Sequence, residues 1–215
     1  MKDPYNNIAN WYDSILEPLI NGLRRIGLKM FSVNEDMNVL DIGCGTGAHL
    51  KLYQEKKCNL YGIDLSDSMI NVAKRNLSKE VKLELCNATN TPFSNNFFDF
   101  IYSMLVLHEM DEDVRAGVLS EANRILKNDG RILLIDYHNR PIRNLKGFIS
   151  KIIITIFEFA AGKKHYKNYR QFIKSGALPR LIKSQNFEIE NQRILSGGTF
   201  GIFLLKKVNY KNQAL

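Results

Sequence analysis

The stretch Val39-Leu40-Asp41-Ile42-Gly43-Cys44-Gly45-Thr46-Gly47 places an apolar run, a carboxylate and three alternate glycines in one short segment. Glycines so spaced let a ligand approach the backbone and let φ turn positive in a tight loop. Gly43-x-Gly45-x-x-Ala48, with Asp64 about twenty residues on, also fits a dinucleotide fingerprint. A dinucleotide would bring a pyrophosphate to the glycine turn and the helix start behind it, where Asp41 repels negative charge at short range. S-adenosylmethionine (SAM) instead brings an ammonium, a sulfonium and one carboxylate. The cations suit Asp41, directly or through water, and the carboxylate suits the helix end. Charge therefore favours SAM.

The elements that must position this loop follow from periodicity. Short apolar runs at 38–42, 59–63, 81–86, 98–103 and 131–136 read as strands, with helices between them at about 48–56, 67–77 and 112–127. Strands alternating with helices call for a parallel sheet with right-handed connections. Ser66 is a good N-cap for the second of these helices, and Asn128-Asp129-Gly130 a good stop after the third. Ahead of the sheet, residues 1–36 read as a helical cap, with Pro18 and Gly22 breaking it into short helices. Behind it come a basic helical insertion at 137–170, a further helix at 171–184, and strands at 187–194 and 200–206. A short link through Ser196-Gly197-Gly198 makes the last two an antiparallel hairpin. The fold expected is α/β: a Rossmann-like, seven-stranded, mostly parallel sheet with a C-terminal antiparallel hairpin and helices on both faces, in one domain over 1–215.

Composition narrows the setting. A chain of 215 residues suits a single α/β domain. Cys44, Cys58 and Cys86 form no C-x-x-C pair, so neither a disulfide framework nor a zinc knuckle is indicated. The N-terminus lacks a signal-peptide pattern, and the apolar run at 148–161 is short for a membrane span and holds Lys151 and Glu158. A cytoplasmic protein is expected. The net charge of +8 is concentrated: residues 137–183 hold eleven Lys/Arg against one acid, which makes that segment +10 and the remainder −2. Phe148, Ile149, Ile152, Ile153, Ile156 and Phe157 recur there at helical spacing among the basic residues. This pattern fits an amphiphilic or anionic acceptor, or peripheral contact with an anionic membrane. A basic surface helix packed on the sheet would look the same. Nucleic acid ranks lower, because no RNA-binding appendage is visible.

In the order of its parts, over about residues 5–207, the chain resembles the class I SAM-dependent methyltransferases: the acidic glycine loop after strand one, an acid ending strand two, and the closing hairpin. Within that class it is similar to the small-molecule branch that includes the ubiquinone/menaquinone-biosynthesis C-methyltransferases, which begin with an element like Ile8-Ala9-Asn10-Trp11-Tyr12-Asp13. The resemblance implies a cofactor site of Tyr12 as a lid, Asp41, Gly43, Gly45, Thr46 and Gly47 as the loop, and Asp64 on the ribose hydroxyls. It also implies Leu65 and Met69 flanking the adenine, Asn87 and Ala88 at its edge, and Ser103 or Met104 as the methionine-side wall. Tyr12, Leu65 and Met69 are equally explicable as packing residues, and Asn87 as a turn cap. Two departures stand out. The quinone-modifying enzymes carry an Arg-Asn pair after strand four, where this chain reads Leu105-Val106-Leu107-His108-Glu109-Met110, and the Asn-Pro-Pro-Tyr type of tetrapeptide found in many amino-group methylators is also missing there.

Methyl transfer from a sulfonium is an in-line displacement, so alignment and exclusion of water matter most. Where the acceptor must lose a proton, histidine is the natural base. His108 lies just past strand four at the carboxyl edge of the sheet, and Tyr137 and His138 follow strand five on the same edge. These three are the candidate catalytic residues. His165 and Tyr166 belong to the wall of the insertion, and His49 reads as a surface residue. No metal-ligand spacing joins the histidines. The expected function is methylation of a small-molecule or lipid-like acceptor; an RNA or protein methyltransferase, or a SAM-binding protein without turnover, is the alternative. Replacing Asp64 by Ala removes charge-assisted hydrogen bonds and should weaken SAM binding by about 1.5–3 kcal/mol. Calorimetric titration of SAM, S-adenosylhomocysteine and NADH into both proteins checks this; unchanged SAM affinity in the variant would mean the ribose lies elsewhere.

Overall fold

The computed structural model describes residues 9–142 and 144–208, with side chains from Ile20 onward other than that of Lys146. Five strands run parallel: β1 (Asn38–Ile42), β2 (Asn59–Asp64), β3 (Lys82–Leu85), β4 (Phe98–Met104) and β5 (Leu126–Tyr137). The chain then returns through β6 (Phe187–Leu195) and β7 (Phe200–Lys207), and β7 inserts antiparallel between β5 and β6, giving the order β3-β2-β1-β4-β5-β7-β6. The helices are α1 (Ala9–Met30), α2 (Asp67–Asn76), α3 (Glu112–Ile125), α4 (Leu145–Ala160), α5 (Lys163–Lys174) and α6 (Ala177–Lys183). β5 is buried at every residue from Ile132 to Tyr137, the pattern of a strand covered on both faces. The strand order reverses between β1 and β4, so the crevice where open α/β sheets bind ligands lies beyond their carboxyl ends.

The expected strands, hairpin and topology are present, and four local features differ. α1 is one continuous helix through Pro18 and Gly22. Its described buried residues, Ile20, Leu23 and Gly27, share one stripe, and tertiary packing of such a stripe outweighs local propensity. The segment after the glycines is a 3-10 helix, Leu50–Lys56, rather than an α-helix, and it ends on Lys57 in the left-handed region. Asn128-Asp129-Gly130 does not separate α3 from β5. Instead the residues are absorbed as an irregularity inside β5, where pairing steps from Phe98↔Leu126 to Phe100↔Arg131. The region expected as one insertion and a further helix is three helices, α4 to α6.

An ion pair with a buried carboxylate and a partly exposed guanidinium fixes the approach to β4. Glu121 accepts hydrogen bonds from Thr91 N (2.8 Å) and Thr91 Oγ1 (2.6 Å), and Arg124 binds both Glu121 and the Phe93 carbonyl. The Arg124 guanidinium lowers the Glu121 pKa to about 2, against the opposing effect of burial. A depressed carboxylate contributes stability that is complete above its unfolded pKa, near 4.5, and is lost as pH falls toward 2. Glu121→Gln should therefore melt below the wild type by a constant margin between about pH 5 and 8, and the margin should shrink as pH falls toward 2. Thermal melts across that range check it.

Candidate functional site

The crevice has two sides, one built by the loop after β1 and one by the loops after β4 and β5. On the first side, Gly43 N and Cys44 N both donate to the Ile63 carbonyl, and Gly45 N donates to Asp64 Oδ2 at 2.9 Å. Asp64 Oδ1 accepts from Ser66 N at 2.9 Å, and Ser66 caps α2 through Met69 N. Asp64 thus ties the glycine turn to the start of α2. Gly43 has φ +71°, and a Cβ there would fall 2.5 Å from Val106 Cγ2, so the glycine loop and the loop after β4 touch at this point. Gly45 has φ +51° and no described atom within 4 Å of its would-be Cβ. Gly43 is thus required by a neighbour within the fold, whereas Gly45 faces open space.

Asp41 is buried, and burial pushes its carboxyl up to about 8, with Arg24 pulling it down and Asp64 adding to the rise. Such a group gains from a cationic ligand. Ser103, at the end of β4, is also buried, and its Oγ has no hydrogen-bond partner. Thr46 is partly buried and its carbonyl accepts from Asn76 Nδ2. Leu65 is 68% exposed beside Asp64, a position where an apolar side chain gains only if something covers it. Met69 and Met104 are partly buried, and Met104 Sδ accepts from Tyr102 Oη. Asn87 is exposed and closes a turn, its Oδ1 accepting from Thr89 N and Oγ1, while Ala88 is buried. The side chain of Tyr12 lies outside the described residues. The open glycine, the unpartnered Ser103 hydroxyl and the buried acid fit a ligand with a positive centre and a carboxylate.

His49 is a correction. It is buried at 4% exposure, stacks on Tyr102 at 3.3 Å between centroids, and meets Tyr53 edge-on. The chain turns under the sheet immediately after Gly47, which carries this ring inward. Burial, then Arg24, holds its pKa well below 6.5, and neither ring nitrogen has a partner.

The second side of the crevice gathers residues from four elements. Asp136, at the end of β5, accepts from Leu107 N (3.0 Å), His108 N (3.2 Å) and Tyr137 N (2.7 Å), and its Oδ1 lies 2.7 Å from His108 Nδ1. His108 Nε2 lies 3.3 Å from Glu158 Oε1, a carboxylate on α4 that also accepts from Tyr137 Oη at 2.8 Å. His165 Nε2, on α5, lies 2.7 Å from Glu158 Oε2. Glu109 Oε1 stands 3.9 Å from His108 Nε2 and 3.8 Å from His165 Nε2. Burial alone would lower the His108 pKa, but Asp136 and Glu158 together carry it well above 6.5. Burial would raise Glu158, yet the two histidines bring it down to about 2. Arg115, buried in α3, donates to the carbonyls of Leu107, Met110 and Asn168, and so clamps this loop to α5.

The expected candidates divide accordingly. His108 and Tyr137 come together with Asp136, Glu158 and His165, and His138 does not join them. Its Nδ1 accepts from Arg140 N, its ring stacks on Phe203, and burial, then Arg140, lowers its pKa. Asp136, Glu158 and Arg115 were not among the expected site residues. Glu158 carried one signal, as the single acid in an apolar helical run.

Comparison with known proteins bears on the first side directly. Residues 40–134 match the model of a methyltransferase domain, a span that runs from β1 and the glycine loop into β5. The chain carries a methyltransferase domain and is similar along most of its length to SAM-dependent methyltransferases. It is 29% identical over 229 aligned residues, covering 95% of this chain and 91% of the relative, to the ubiquinone/menaquinone biosynthesis C-methyltransferase UbiE of Rickettsia prowazekii. A SAM-dependent methyltransferase from Aquifex aeolicus has the same fold, with a TM-score of 0.66 at 20% identity, covering 95% of this chain and 99% of that one. So does geranyl diphosphate C-methyltransferase from Streptomyces coelicolor A3(2), solved with Mg2+, geranyl-S-thiolodiphosphate and S-adenosylhomocysteine, with a TM-score of 0.66 at 15% identity over 91% of this chain and 78% of that one. SAM is the cofactor of this methyltransferase.

Because Gly45 faces open space, a methyl group there should cost the fold little and the cofactor much. Gly45→Ala should lower stability by about 1 kcal/mol, the cost of a left-handed φ in a residue with a Cβ. It should weaken SAM binding by tenfold or more, roughly 1.4 kcal/mol. Melting and calorimetry on the same sample separate the two; a large loss of stability with normal affinity would contradict the geometry.

Proposed function

We propose that this methyltransferase acts on a small, lipid-like acceptor, with α4 and α5 covering the acceptor side and resting on an anionic lipid surface. The observation that carries the proposal is the outward face of α4. Leu145, Phe148, Ile149, Ile152, Ile156 and Phe159 are all exposed, beside Lys151, Lys163, Lys164 and Lys167. A contiguous exposed apolar face rimmed by lysines suits an interface rather than open water. The relative named for ubiquinone/menaquinone biosynthesis supports an acceptor of this chemistry. The missing Arg-Asn pair after β4 argues against a quinone as such. No helix among the described residues is long and apolar enough to cross a membrane, which fits surface contact.

SAM supplies an electrophilic methyl group on a sulfonium. In this reading Asp64 accepts from the ribose, Leu65 and Met69 cover the adenine, and Asn87 and Ala88 meet its edge. Asp41 balances the positive end of the cofactor, and Ser103 with Met104 lines the methionine side. The glycine loop of Gly43, Gly45, Thr46 and Gly47 gives the backbone approach. His108 and Tyr137 then serve to position the cover, because both ring nitrogens of His108 face carboxylates and Tyr137 Oη is spent on Glu158. His138 accepts a backbone hydrogen bond at Nδ1, which leaves Nε2–H as a donor in the neutral ring. None of the three offers a free base in this arrangement, so alignment and exclusion of water carry most of the rate.

Incubation with methyl-labelled SAM and a total lipid extract should put label into the organic phase, with tRNA and protein fractions unlabelled. Label in either of those fractions instead would replace the acceptor class. Retention on phosphatidylglycerol vesicles should fall with salt, and Lys163, Lys164 and Lys167 reversed to Glu should cost at least about 1 kcal/mol per lysine. Salt-independent retention, or none, would remove the membrane contact.

A further inference from the structure

The cluster of His108, Glu158 and His165 contains more than a proton network needs. One ring nitrogen from each histidine and a carboxylate oxygen of Glu158 lie within 4.8 Å of one another. Glu109 Oε1 stands at the rim of the same point, nearly equidistant from the two imidazoles. Glu158 is 4% exposed, and its Oε2 makes no hydrogen bond of acceptable geometry although His165 Nε2 is 2.7 Å away. Both residues belong to a group whose candidate ligand atoms all lie within 4.8 Å of one another.

The orientation of His108 points the same way. Asp136 Oδ1 holds Nδ1 at 2.7 Å, which fixes a proton there and turns Nε2 toward Glu158 and His165. A carboxylate behind an imidazole is the usual outer partner of a metal-bound histidine, and it sets the tautomer and raises ligand basicity. Asp136 is itself fixed by three backbone N–H groups, so this partner is rigid. Ligand atoms on a tetrahedral ion with bonds of about 2.0–2.1 Å sit roughly 3.3 Å apart. The separation of His108 Nε2 from Glu158 Oε1 is 3.3 Å, and small side-chain shifts bring the 2.7, 3.8 and 3.9 Å separations to the same value.

We propose that His108, Glu158 and His165, with Glu109 at the rim, form a binding site for one divalent transition-metal ion, Zn2+ foremost, that pins α4 and α5 to the carboxyl edge of the sheet. Two imidazoles and one or two carboxylates are a donor set for Zn2+, Fe2+ or Mn2+ and a poor one for Mg2+ or Ca2+, which prefer all-oxygen shells. The ligands come from the loop after β4, from α4 and from α5, so the ion joins the cover to the sheet. Entry is from the Glu109 and His165 side, the more open edge, since His165 is 13% and Glu109 30% exposed in their side chains. The site stands or falls independently of the acceptor.

The test uses the full chain, stripped with chelator and dialysed. Titration with Zn2+ alone should give one ion per chain by calorimetry and by elemental analysis, and should raise the melting temperature by about 5–10 °C at a hundredfold excess over Kd. Co2+ in its place should give visible bands of nitrogen and oxygen ligation. His165→Ala and Glu158→Gln should each weaken Zn2+ binding by more than the about 10–100-fold that loss of an outer partner costs, and Asp136→Asn by about that amount. His165→Ala is the safer variant for folding, because its ring is the most exposed of the three. Its circular dichroism and its SAM affinity should match the wild type. No bound Zn2+ in the wild type, equal affinity for Mg2+, or Zn2+ binding unchanged in His165→Ala would each overturn the site.

Discussion

The crevice depends on one buried carboxylate. Asp136 is 1% exposed and takes hydrogen bonds from three backbone N–H groups and one imidazole. A carboxylate so deep would be costly if any of these were missing, because an unpaired buried charge loses its hydration without return. With all four it becomes a rigid node. It joins the end of β5 to the loop after β4, and that loop contacts the glycine turn after β1 through Val106 and Gly43. The chain passes through a left-handed residue at Leu105 to reach it, with Leu105 N bonded to the Ile135 carbonyl. Leu105 costs energy in that conformation, and the node beside it repays the strain.

Both sides of the crevice therefore share a frame although their chemistry differs. The cofactor side is backbone-built: N–H groups donate to Asp64 and to the Ile63 carbonyl, glycines open the surface, and the side chains that matter sit at strand ends. The other side is side-chain-built, from imidazoles and carboxylates of elements far apart in sequence. Arg115 joins the second side to α5 by donating to carbonyls on both. Its guanidinium also lies over the Phe172 ring at 5.0 Å, so a charged side chain can be fully buried without a carboxylate in hydrogen-bond contact. These contacts tie α5 to the loop after β4, and that loop packs against the glycine turn.

The strand and glycine turn after β1 were legible in the sequence and the cluster around His108 was not, for a physical reason. β1, with its acid and glycines, is a local pattern: the strand period, the positive φ and the close approach of a ligand all constrain residues within one short stretch. Its bounds match the expected 38–42. The cluster around His108 is assembled by topology. Asp136, Glu158 and His165 follow it by 28, 50 and 57 positions, separations with no periodicity to detect. His49 is buried against expectation for a related reason, since local spacing marks a helix start but not which way the helix faces. Pro18 and Asn128-Asp129-Gly130 are true local signals that the fold accommodates, one within a packed helix and the other as an irregularity between β4 and β5.

α4 shows most clearly how a buried polar cluster can set the orientation of a helix. Its inner stripe is Gly147, Ile154 and Glu158, seven and four residues apart, so the face turned to the protein includes an ionisable group. Its outer face holds seven of the twelve exposed large apolar residues among those described. Hydrophobic burial alone would turn the helix the other way, with the apolar residues inward and Glu158 in water. The observed orientation is favourable only if Glu158 gains strong partners inside and the apolar face gains cover outside. The first condition is met by Tyr137, His108 and His165. The second is met by nothing among the described residues, which is why the outer face of α4, more than its inner one, bears on the proposed lipid contact.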